Sequence, residues 1–149
     1  MNAPEILLLN QQGRWKVDLS RLKHDLEKAS SVLPLQGHII PEAIKQVEFS
    51  LVTPSSSLKI HRDFFKDASA TDVMTFPTEP IASVIICPEI ARHQRDAEGL
   101  SVYEEVLTYA IHGMLHLSGL NDLKDMEFER MRREQTAIRK QILSESPAN

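Results

Sequence analysis

Residues 101–119 read Ser-Val-Tyr-Glu-Glu-Val-Leu-Thr-Tyr-Ala-Ile-His-Gly-Met-Leu-His-Leu-Ser-Gly. Ser101 and Glu104 form a capping box, in which hydroxyl and carboxylate satisfy opposite orphan donors at a helix start. Gly119 suits the left-handed residue that ends such a helix. Between them Val106, Tyr109, Ala110, Gly113 and Leu117 recur at helical spacing and predict a stripe turned toward a core. A helix of this composition needs a surface to pack on, and the flanking sequence supplies strands.

The clearest strand is 47–53 (Val-Glu-Phe-Ser-Leu-Val-Thr), where apolar and polar residues alternate as on a half-buried sheet. Residues 5–9 read as a first strand ended by the Asn10–Gly13 turn, and 71–76 (bounded by Pro77) and 83–87 (bounded by Pro88) as two more. Helices are predicted from Leu19 behind an Asp18 cap, carrying Leu22, Leu26, Ala29 and Val32 or Leu33 and ended by Pro34, and again after Pro54 and Ser55–Ser57, carrying Leu58, Ile60, Phe64 and Phe65. Pro88-Glu89 opens another, closed by Gly99. A charged last helix runs from Asp125 to about Leu143, with Met126, Met131, Ile138 and Ile142 as apolar anchors and Ser144–Asn149 as a frayed tail. The expected fold class is α+β: a single domain over 1–149, a small mixed sheet of about four strands packed with about five helices, and a metal site at the end of a central helix.

Composition bounds the function. The 149 residues fit one domain, and 42% hydrophobic against 26% charged residues excludes a disordered chain. A net charge of -4, from 17 basic and 21 acidic residues, excludes a uniformly basic nucleic-acid coat and leaves room for a local basic groove. The single cysteine, Cys87, excludes an internal disulfide and a cysteine-based zinc finger. The run Ile6–Leu9 is too short for an export signal, and no stretch nears the ~20 residues of a membrane span, so the cytoplasm is the expected compartment.

His112 and His116 stand four apart, so both imidazoles project from one helix face and reach one ion. Six histidines in 149 residues give roughly 0.2 such pairs by chance, a modest signal alone. The continuation strengthens it: Gly119 turns the chain, and Asp122 brings a carboxylate back toward the same point, with Asp125 as substitute. Two histidines and a carboxylate leave zinc an open position for water, as in catalytic sites, although the same donors also serve iron. A bound divalent ion lowers the pKa of that water to about 7. The spacing matches the metzincin proteases, but their general-base glutamate falls on Gly113, which disfavours peptide hydrolysis.

The run His112–Asp122, with Thr71-Asp72-Val73-Met74-Thr75-Phe76-Pro77 upstream and Tyr103-Glu104-Glu105 opening the helix, resembles the YbeY-type endoribonucleases over nearly the whole chain. The resemblance implies a zinc-dependent, single-strand-specific endoribonuclease in rRNA maturation and ribosome quality control, processing the 16S rRNA 3′ end, with single-stranded RNA and the small ribosomal subunit as partners and neither membrane nor DNA. A non-catalytic ribosome assembly factor with a structural metal is the alternative. Asp122 stands where the family has its third histidine, which lowers the formal charge of the ion and its ligands from +2 to +1. Ala82 and Ser83 replace a Gly-Asp pair, and Phe65 replaces an arginine, for which Arg62, one turn earlier, is the candidate substitute that would neutralise transition-state charge. Lys59, His61, Arg62 and Lys66, and Arg92, His93 and Arg95, form two basic clusters; the six basic residues at 124–140 read mainly as a solvated helix face.

Overall fold

A computed structural model describes residues 3–65, 73–90, 99–120 and 125–145. In chain order the elements are β1 (Glu5–Asn10), α1 (Leu19–Leu35), β2 (Gln46–Leu51), α2 (Pro54–Phe65), β3 (Val73–Phe76), β4 (Ile81–Ile86), α3 (Val102–Leu117) and α4 (Asp125–Glu145). Residues 88–90 are helical as well. The strands form one mixed sheet in the order β1-β2-β4-β3. β2 pairs in parallel with β1 and β4, and β3 runs antiparallel to β4. The α+β class, with a small mixed sheet and helices packed on it, is therefore as expected. Among the described residues no helix is long and apolar enough to cross a membrane.

Alternation along the strands decides which face is buried. The register sets Ile6, Val47 and Ala82 in one row and Leu8, Phe49, Val84 and Thr75 in the next, all on one face. Val47, Phe49, Ala82 and Val84 are fully buried there. α3 crosses this face, packing on β3 and β4 while α1 and α4 flank it.

Contact between α3 and the sheet depends on Gly113. A Cβ at this position would lie 2.5 and 2.8 Å from the two methyls of Val84 and 3.3 Å from Thr75 Oγ1. The missing side chain lets the helix backbone settle onto the strand. The helix starts as predicted: Ser101 Oγ accepts from the Glu104 N–H and the Glu104 carboxylate accepts from the Ser101 N–H. Past its end Gly119 adopts φ +104°.

α1 and α3 are joined by a polar contact inside the core. The Tyr103 hydroxyl donates to Asp25 Oδ2 at 2.6 Å, and the Arg21 guanidinium lies 4.1 Å from the centre of the Tyr103 ring. Asp25 is 1% exposed, and among the described residues its Oδ1 has no hydrogen-bond partner. Burial first, and then the bond to Asp25, push the Tyr103 phenol well above its ordinary value.

Several expectations change. The Asp18 carboxylate caps α1 through the Arg21 N–H, but Pro34 lies inside the helix, one residue before its end; chain reversal at Gly37 (φ +85°) follows. β2 stops at Leu51, and the Val52 N–H still bonds the Ile86 carbonyl. α3 is buried on more than one stripe, because Glu105, Leu107, Thr108, Ile111, Met114 and Leu115 are buried too. Met126, expected as an anchor, is 85% exposed, whereas Met131, Ile138 and Ile142 are in the core. Arg139, expected on a solvated face, is 6% exposed and donates to Thr108 Oγ1 at 3.1 Å. α4 continues through Glu145, two residues beyond the expected end at Leu143. Residues 71 and 72 lie outside the described residues.

Two outcomes follow for stability. Gly113→Ala gains helix propensity of up to about 1 kcal/mol but forces Val84 or the helix to shift, so a net loss of about 1–2 kcal/mol is expected by denaturant unfolding. Combined with Val84→Ala, it costs less than the sum of the single changes, as a double-mutant cycle will read. Tyr103 is raised in the folded protein above its unfolded value of about 10, so its contribution is complete below that pH and is lost as pH rises beyond it. Unfolding free energy measured across the alkaline range will therefore fall less steeply for Tyr103→Phe, which at neutral pH is about 1–3 kcal/mol less stable because Asp25 loses its donor.

Candidate metal centre

His112 and His116 occupy the last two turns of α3, one turn apart, and both are half-buried. Their Nε2 atoms converge to 3.0 Å, with the rings edge to face at a centroid distance of 4.5 Å. A tetrahedral zinc with bonds of about 2.0–2.1 Å holds two ligand nitrogens about 3.3 Å apart, so the pair needs only a few tenths of an ångström of opening to share one ion. Two imidazoles aimed at a common point fit a borderline-soft cation, and the donor set suits it.

The pair faces a cavity of about 230 Å³ whose described lining is Val73, Thr75, Pro77, His112 and His116. With a water occupying about 30 Å³ of liquid, there is room for a cation and a phosphate group together. β3 provides the opposite wall because it is the edge strand beside β4 and because Gly113 draws α3 down onto Val84 and Thr75. Thr75 Oγ1 is buried beside this approach without a hydrogen-bond partner among the described residues.

α4 supports the site from the other side. Gln135 Oε1 lies 2.9 Å from His112 Nδ1, and one turn on, Arg139 reaches Thr108, whose hydroxyl also donates to the Glu104 carbonyl. Each step of four residues up α3 is matched by a step of four down α4, so the two helices lie antiparallel and in register along this seam. Sequence reading did not single out Gln135. Its signal was present, since 131, 135, 138 and 142 share one helix face and only 135 in that set is polar.

Asp122 and the side chain of Asp125 lie outside the described residues, as do the side chains of Phe64 and Phe65 and the second basic cluster with Lys66. Among the described residues no group of three or more histidine, cysteine, aspartate or glutamate side chains forms a metal site. Arg62 is exposed in the last turn of α2 and is not among the described residues lining the cavity. Cys87 is buried just beyond β4.

Comparison with known proteins agrees with this architecture. The family described as Endoribonuclease YbeY matches residues 7–143. A protein named Endoribonuclease YbeY from Protochlamydia amoebophila is 28% identical over 127 residues, covering 75% of this chain and 83% of the relative. Another of that name, from Finegoldia magna, is 26% identical over 145 residues, covering 92% of this chain and 93% of the relative. The solution structure of TM1509 from Thermotoga maritima shares the fold with a TM-score of 0.59 at 20% identity, over 94% of this chain and 90% of that one. With a family match that runs from β1 into the last turns of α4, this chain belongs to the Endoribonuclease YbeY family.

Proposed function

We propose that this protein is a metal-dependent, single-strand-specific endoribonuclease that matures rRNA at the 3′ end of 16S rRNA and takes part in ribosome quality control. The observation that carries this reading is the convergence of His112 and His116 Nε2 to 3.0 Å at a cavity wide enough for a phosphate group. The reading places the protein in the cytoplasm, with single-stranded RNA and the small ribosomal subunit as partners.

Zinc, one ion per chain, held by His112, His116 and Asp122, would supply Lewis acidity toward a phosphodiester oxygen. The chain's own residues prepare the place. Gly113 brings the helix close enough to β3 for the two ring nitrogens to stand over Val73, Thr75 and Pro77. Nitrogens recessed between a helix and an edge strand are reached more readily by a phosphate on a flexible single strand than by one in an A-form duplex, which is read by its shape and grooves. Charge favours a local contact, since the whole chain is at -4. Arg62, with Lys59 on α2, would give a cationic approach for the backbone, and Arg62 is the candidate for neutralising charge in the transition state.

Purified protein supplied with zinc is expected to cleave single-stranded RNA and spare a duplex of the same sequence. His116→Ala is expected to lose more than about 100-fold in rate, because several kcal/mol of charge stabilisation goes with the metal. If wild type and variant fold alike, are equally inert and still associate with small ribosomal subunits, the assembly-factor reading replaces this one. Arg62→Ala should weaken binding to single-stranded RNA and make the slope of log affinity against log salt shallower by about 0.7, the share of one phosphate contact. Metal analysis of Asp122→Ala should show reduced zinc content.

A further inference from the structure

Gln135 sits where the pattern of α4 calls for an apolar residue. It lies on the face that carries Met131, Ile138 and Ile142, all of them buried, and is itself 8% exposed. A buried amide without partners costs about 1–3 kcal/mol relative to a hydrocarbon of similar size, so its place in this stripe asks for a compensating bond. That bond is made with His112, whose Nδ1 lies 2.9 Å from Gln135 Oε1.

An amide oxygen only accepts, and a neutral imidazole carries its hydrogen on one nitrogen and a lone pair on the other. With Oε1 against Nδ1, the hydrogen of His112 is on Nδ1 and the lone pair is on Nε2, the atom that converges with His116. In that tautomer His112 offers Nε2 to a cation without a change of ring hydrogen. The register of α4 enforces this, since Arg139 on Thr108 and the buried Met131, Ile138 and Ile142 hold Gln135 opposite His112.

We infer that Gln135 is a positioning residue of the site: it fixes the orientation and tautomer of His112 so that Nε2 is presented to a divalent cation, which makes α4 a working part of the centre. The inference rests on the proposed metal site, and the test separates the two. In metal-stripped, 15N-labelled wild type at about pH 8, above the ordinary histidine range near 6.5, imidazole 1H–15N correlations assigned with His112→Ala are expected to show His112 protonated on Nδ1. Finding it protonated on Nε2 overturns the inference, whatever the variants do. Zinc competition against a chromogenic chelator should then find Gln135→Met, similar in volume but unable to accept, weaker by about 10–100-fold, the usual loss when a ligand's outer partner is removed. Gln135→Glu, which keeps an acceptor, should stay within a few-fold of wild type. A Gln135→Met protein that melts like wild type, binds zinc as tightly and keeps the His112 tautomer also overturns the inference. If wild type takes up no zinc, the metal site falls, and the tautomer in wild type and Gln135→Met still decides whether Gln135 governs His112.

Discussion

The close approach of α3 to β4 at Gly113 is the constraint on which the remaining geometry rests. A side chain there would overlap both methyls of Val84, which is fully buried in the middle of the sheet. Interiors packed to crystal-like density do not absorb such an overlap without moving an element. The absence of one methyl group thus sets the spacing of helix and sheet, and that spacing decides how far His112 and His116 stand from the β3 wall. The glycine that deprives the helix of a protease-like general base is the same residue that seats the histidines.

α3 meets two kinds of neighbour, and its side chains are sorted accordingly. Toward the sheet it presents small or aliphatic groups, which pack on Val84 and its row. Toward the other helices it presents polar groups that are buried or half-buried: Tyr103 to Asp25 on α1, Thr108 to Arg139 and His112 to Gln135 on α4. Directional bonds of this kind specify one register where apolar contacts would tolerate sliding. Holding two imidazole nitrogens 3.0 Å apart requires such specification.

Much of this was legible in the residues. Ser101 with Glu104, Asp18 before Leu19, and the alternation from Val47 each act through neighbours within a few positions, and each appeared in the structure where local chemistry places it. The four-residue spacing of His112 and His116 is equally local, and the two rings do converge. What escaped was set by tertiary contact. Periodicity marks one apolar stripe on α3, but a helix between a sheet and two other helices is buried on several sides. Met126 and Arg139 exchanged their expected places because burial on α4 follows the seam with α3: Arg139 falls on it opposite Thr108, while Met126 is turned outward. Gln135 could have been noticed as the lone polar member of its stripe, but its partner, 23 residues earlier in the chain, is not readable from spacing. Asp122 lies outside the described residues, so its role stays a reading of the sequence.

The order in which these parts emerge during synthesis has a consequence. The sheet and α3 are complete by residue 117, yet the helix that holds His112 from behind begins only at Asp125. A nascent or prematurely terminated chain ending after the glycine turn carries both imidazoles but lacks the amide and the guanidinium that lock their helix. A fragment that ends there and a chain that includes α4 therefore differ in how firmly His112 is held, although both contain every histidine of the pair.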